Sequence, residues 1–70
     1  MKKPFITVTH AISGWFAIML AWSPDLDDWE PIERGFGRYP TKEGAVAEGK
    51  AWALAEEVEF DVAPKHRFVQ

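Results

Sequence analysis

The residues of this chain whose types could do chemistry are two histidines, one cluster of acids, two serines and a strand that mixes arginine with aromatic rings. His10 and His66 are the only imidazoles in 70 residues, and there is no cysteine. Neither histidine has a second histidine at metal-ligand spacing, and one imidazole alone makes no site. His10 therefore reads as a strand residue at the edge of the core, hydrogen-bonded to a backbone group, and His66 as a solvated residue near the C-terminal end. Asp25, Asp27, Asp28 and Glu30 gather four carboxylates in one short stretch. Hard cations take several oxygens, but the twelve-residue loop, central glycine and bidentate Glu of an EF-hand are missing. These acids read as a solvated turn able to meet a basic surface. Ser13 and Ser23 fall in turns with no base nearby, and Glu56 and Glu57 point in different directions on a helix. Gly35-Phe36-Gly37 lacks the spacing of a dinucleotide fingerprint. No nucleophile, general base or phosphate cradle assembles, so the chain is expected to be no enzyme and to need no cofactor or metal.

Arg34, Phe36 and Arg38, with Tyr39 and Trp29 nearby, form an aromatic and basic stretch of the kind that stacks single-stranded nucleic acid. Lys plus Arg number 8 against 11 Asp plus Glu, a net charge of −3. Counterion release needs a basic face, so this balance argues against nucleic acid as the main partner. Phe36 is then expected in the core, with the arginines paired to Glu33, Glu43 or the acidic turn. Single-stranded nucleic-acid binding through Arg34, Phe36 and Arg38 stands as the second reading.

The elements that position these residues are organised around Trp15-Phe16-Ala17-Ile18-Met19-Leu20-Ala21-Trp22. This run is apolar throughout and closed by Gly14 on one side and Ser23-Pro24 on the other. It does not alternate, so it predicts a strand buried on both faces. Phe5 to Ala11 alternates and is rich in β-branched residues, which predicts a first strand. Ile12-Ser13-Gly14 reads as a three-residue hairpin loop pairing Ala11 with Trp15. That register puts Ile6, Val8, Phe16, Ile18 and Leu20 on one face, and Trp15, Ala17, Met19 and Tyr39 on the other. Trp29 to Tyr39 predicts a third strand, its glycines marking a bulge or a close approach and Pro31 an irregular start or an edge position. Thr41 is the expected N-cap of the one helix, with Glu43 in its first turn. Ala45, Gly49, Trp52, Ala53 and Glu56 share a helix face. Val58 to Val62 predicts a short fourth strand. The expected fold is α+β: a three- to four-stranded, mostly antiparallel sheet with one helix on one face, in the order β-β-β-α-β. Residues 1–62 form the domain and 63–70 a basic C-terminal tail.

A core this small supplies roughly 3–5 kcal/mol, and without cysteine no disulfide can add to it. One helix covers one sheet face, so the Trp15/Met19/Tyr39 face is expected to be covered by a second copy in a homodimer or by a larger protein partner. Asp25, Asp27 and Asp28 would steer that partner. Met1-Lys2-Lys3 could open a signal peptide, but Pro4 and Thr7-Val8-Thr9-His10 follow in place of an apolar stretch. The apolar strand falls well short of the roughly 20 residues that span a bilayer. The chain is therefore expected to be cytoplasmic, with no membrane partner.

The helix start Thr41-Lys42-Glu43 and the string Val62-Ala63-Pro64-Lys65 resemble the T7-type phage inhibitors of bacterial RNA polymerase, in which strands precede one helix and a strand follows it. The resemblance implies a compact, non-enzymatic protein that inhibits or accompanies a larger enzyme. It carries no functional residue onto this chain.

Overall fold

A computed structural model describes residues 2–64 of the chain. The stretch 65–70, with His66 and the basic part of the expected tail, lies outside the described residues. Three strands come first: β1 (Phe5–Ala11), β2 (Gly14–Ser23) and β3 (Asp28–Arg34). The helix α1 (Lys42–Glu56) and a two-residue strand β4 (Glu59–Phe60) follow. The sheet order is β3-β2-β1-β4, with β1–β2 and β2–β3 antiparallel and β4 parallel to β1. This is the expected α+β arrangement, with one helix packed on a four-stranded sheet. The apolar run is indeed an inner strand, flanked by β1 and β3.

The hairpin register differs from expectation by one residue. Ala11 pairs with Gly14, so Ile12-Ser13 is a two-residue turn. Gly14 is the first residue of β2, at φ 122°. A Cβ there would lie 2.7 Å from the Tyr39 carbonyl oxygen, which accepts the Trp15 N–H at 2.8 Å. Glycine is thus required by its own positive φ and by the approach of the segment beyond β3, without a longer loop. A slip of one residue moves every side chain across the sheet. Ile6 now pairs with Met19 and Val8 with Ala17, while Phe16, Ile18 and Leu20 pair with Thr9, Thr7 and Phe5.

The core follows from this register. Ile6, Ala17 and Met19 lie under the helix with Ala53, and Trp52, Val58 and Phe60 pack around them. Ala45, Gly49 and Ala53 are the buried residues of α1. Small residues let the helix approach until the Phe60 ring occupies the space a Cβ on Gly49 would need, 2.5 Å from Cε1. Thr41 is the N-cap, but its side chain makes no capping bond; Glu57 closes the helix in the left-handed region at φ 57°. Two other expectations are corrected. β3 ends at Arg34, and Tyr39 returns to the sheet only as an isolated bridge to Trp15. The bulge lies opposite Met19/Leu20, with Ile32 as the extra residue between paired Pro31 and Glu33. Pro31 does sit in an edge strand, where its missing N–H costs no ladder bond.

Met19, expected on an exposed face, is 6% exposed beneath the helix. Met19→Ala should cost about 2–5 kcal/mol in urea-induced unfolding, whereas Leu54→Ala should change stability by less than about 0.5 kcal/mol. Leu54 is 82% exposed and so serves as the surface reference. Equal costs at the two positions would put Met19 outside the core and contradict the two-residue turn.

Candidate functional site

After β3 the chain leaves the sheet, turns and returns within five residues, and the sequence makes this possible at each step. Gly35 N–H donates to the Ala17 carbonyl at 2.9 Å, and Tyr39 exchanges two backbone bonds with Trp15 at 2.8 and 2.9 Å. Between these anchors, the N–H groups of Phe36 and Gly37 point away from the ladder and need another acceptor. The Glu48 carboxylate on α1 supplies it. Oε2 accepts the Phe36 N–H at 3.0 Å and Oε1 accepts the Gly37 N–H at 3.1 Å. Bonds to an ionised acceptor are roughly twice as strong as neutral ones. A Cβ on residue 35 would lie 2.4 Å from Oε2, and one on residue 37 would lie 2.6 Å from Oε1. The two glycines are therefore the clearance that admits the carboxylate.

The loop is held from the other side as well. Arg38 Nη1 donates to the carbonyls of Gly35 (3.2 Å) and Gly37 (3.0 Å). Its guanidinium lies 4.4 Å from the centre of the Phe16 ring, on the sheet face opposite the helix. The Tyr39 hydroxyl bonds the same Glu48 carboxylate, and this bond, with lesser help from desolvation and the Glu48 charge, holds the phenol above its ordinary pKa of 10.0. Phe36, at the tip, is 100% exposed. A groove of about 300 Å³ between the loop and α1 is lined by Phe36 itself and by Gly35, Glu48, Ala51 and Trp52, with Glu33 and Arg34.

The residues singled out from sequence are distributed unevenly around this loop. Tyr39 belongs to it. Trp15 is half-buried on the helix side, stacked on His10 at 4.8 Å with Lys42 6.0 Å from its ring. His10 is thus an exposed stacking partner and not the backbone-bonded edge residue expected. Met19 is core and cannot serve as a docking residue. Arg34 and Arg38 come together over Phe16, at 6.0 and 4.4 Å, in place of the expected pairing with acids. Phe36 is neither core nor on the arginine face. Asp25, Asp27 and Asp28 are exposed in the β2–β3 turn, with Asp27 at φ 54° and Asp28 accepting the Trp29 N–H at 2.7 Å. That turn lies at the opposite end of β3 from Phe36, roughly 20 Å along the strand. Among the described residues no group of three or more His, Cys, Asp or Glu could hold a metal, and no helix is long and apolar enough to cross a membrane.

Sequence reasoning missed Glu48 and Trp52 as site residues. The signal for Glu48 was the pair of glycines around Phe36, which announces a close approach; the approaching group is a carboxylate from thirteen residues beyond Gly35, a separation no local pattern reports. Comparison with family models, curated proteins and solved structures finds no match for this chain.

Tyr39 is the only tyrosine, so its ionisation can be followed alone. Its raised pKa means that its contribution to stability is complete below the ordinary value of 10.0 and is lost as pH rises through the folded-state midpoint. An absorbance titration of tyrosinate should give a midpoint above 10.0 in wild type and a lower one in Glu48→Ala. Identical midpoints would mean that Glu48 does not bond the phenol.

Proposed function

We propose that the chain is a non-enzymatic protein-binding module, an inhibitor or accessory subunit acting in the cytoplasm, which docks on a larger protein through Phe36 and the groove beside Trp52. The observation that carries this reading is that Phe36 is wholly exposed while the backbone that bears it is tied down from both sides. Burying a phenylalanine side chain yields about 1.5–3 kcal/mol. Ordering a loose loop or side chain at an interface costs about 0.5–1.5 kcal/mol for each group. A loop ordered in advance by Glu48 and Arg38 keeps that gain for binding. Aromatic anchors beside a pocket are frequent centres of protein interfaces, and Phe36 and Trp52 supply them here. The acidic turn lies too far off to share this contact and acts on the approach of the partner. The likeness of Thr41-Lys42-Glu43 and Val62-Ala63-Pro64-Lys65 to the T7-type phage inhibitors agrees with a role on a larger enzyme.

Tagged wild type and Phe36→Ala, compared in capture from an extract of the native host, should differ in one retained protein. The purified pair should then bind at least about 10-fold more weakly with Phe36→Ala, as expected for an interface centre. The variant should unfold within about 0.5 kcal/mol of wild type, because the side chain is exposed. Retention of the same protein at the same affinity would refute docking through Phe36. Sedimentation of the wild type alone shows whether the larger partner is replaced by a second copy; a dimer that dissociates in Phe36→Ala would assign the same contact to a homodimer.

Steering by the turn has its own signature. Replacing Asp25, Asp27 and Asp28 with Asn should slow association with the captured partner at low salt while leaving dissociation unchanged, and the difference should vanish at high salt. Equal loss at both salt concentrations would indicate a direct buried contact.

A further inference from the structure

We infer that the sheet face opposite the helix carries a second binding site, on its β2–β3 half, for single-stranded nucleic acid. The net charge of −3 describes the whole chain and conceals how the charges are sorted. By the β2–β3 register, Glu30 and Glu33 lie on the helix side with Ala21 and Met19. Glu48 is engaged by the loop, and Asp25, Asp27 and Asp28 are at the turn. Glu59 pairs beside Phe5 and so belongs to the opposite face, but on β4, with β1 between it and β2.

The β2–β3 half of that face carries cations laid on rings. Lys2 Nζ lies 3.4 Å from the centre of a Trp22 ring, and Arg38 and Arg34 lie 4.4 and 6.0 Å from Phe16. None of the three is paired with a carboxylate among the described residues, and all three are exposed. Trp22 and Trp29 are half-buried and meet edge to face at 5.6 Å. From Phe16 to Trp22 the platform runs six residues along β2, roughly 20 Å.

The charge of this strip selects a polyanion, and its planar groups select nucleic acid over an acidic peptide. Bases stack on aromatic rings and on guanidinium planes, and a positive groove follows the phosphates between them. Here the Arg38 guanidinium lies over Phe16 at one end, Trp22 lies at the other with Lys2 on its ring, and Arg34 stands between them. An acidic peptide would satisfy the cations and leave the planes unused. Among the described residues no array of donors and acceptors suited to base edges accompanies the strip, so binding should tolerate any sequence.

The test is titration of the full chain with a fluorescein-labelled oligothymidylate about ten nucleotides long, within the usual range of such sites. At low salt the anisotropy should rise and tryptophan emission should be quenched. Arg34→Ala with Arg38→Ala should weaken binding at least about 10-fold and flatten the dependence of log K on log salt by about 1.4, the release expected for two phosphate contacts on a single strand. Lys50→Ala removes one cation from the exposed surface of α1 and should leave the slope unchanged. Because Arg38 also ties the loop, Lys2→Gln with Arg34→Gln is the second variant and should flatten the slope similarly. No anisotropy change at low salt would overturn the proposal. So would an equal effect of Lys50→Ala, or displacement of the oligonucleotide by polyglutamate with emission unquenched, which would mark the strip as a docking face for an acidic protein.

Discussion

A two-residue turn at Ile12-Ser13 decides what each face of this sheet is made of. One helix can cover one side of a four-stranded sheet, and β2 is apolar on both. The register chosen by the turn sends the smaller and more flexible set, Ala17 and Met19, under the helix, where the flat surface of Ala45, Gly49 and Ala53 can lie close. The larger set, Phe16, Ile18, Leu20 and Trp22, is left on the other side, where Arg38 and Lys2 cover two of its rings. Rings capped by cations hold more apolar surface at a wet face than bare rings would, because the long stems of Lys and Arg cover it and their heads stay solvated.

The same register organises the segment after β3. Arg34 falls on the cation face and Gly35 on the helix side, so the chain arrives at α1 with its backbone N–H groups facing Glu48. Tyr39 then re-enters beside Trp15 with its phenol toward the same carboxylate. One acidic side chain thus satisfies groups from both ends of a loop whose tip is left in water. The arrangement holds Phe36 apart from the arginines that neighbour it in sequence, which separates an apolar docking point from a cationic strip.

The fold class was legible because it rests on local signals. Alternation in Phe5–Ala11, the unbroken apolar run, Thr41 before a helical pattern and Pro31 at an edge each report on a few residues. The face assignments were not, since Gly14 fits a three-residue loop by its own conformational preference and the competing reason for it, the approach of the Tyr39 carbonyl, comes from 25 residues away. Phe36 is expected in the core for the same reason: alternation with Arg34 and Arg38 implies a continuous strand, and nothing local reveals that Glu48 draws the backbone out of it. Arginines that stack on Phe16 in place of pairing with acids follow from the same shift. Trp52, which shares a helix face with Ala45, Gly49 and Ala53, is half-buried at the groove beside the loop.

Everything assigned to Phe36 depends on the loop being held by Glu48, and amide hydrogen exchange at Phe36 and Gly37 reads that bond directly. If Glu48 clamps the loop, both amides exchange far more slowly than an unstructured loop of the same sequence, comparably to Gly35 and Tyr39, whose N–H groups are bonded to the sheet. Glu48→Ala then releases Phe36 and Gly37 and leaves strand β2 protected. Exchange of these two amides at unstructured rates in the wild type would contradict the clamp and, with it, the presentation of Phe36 as a docking side chain.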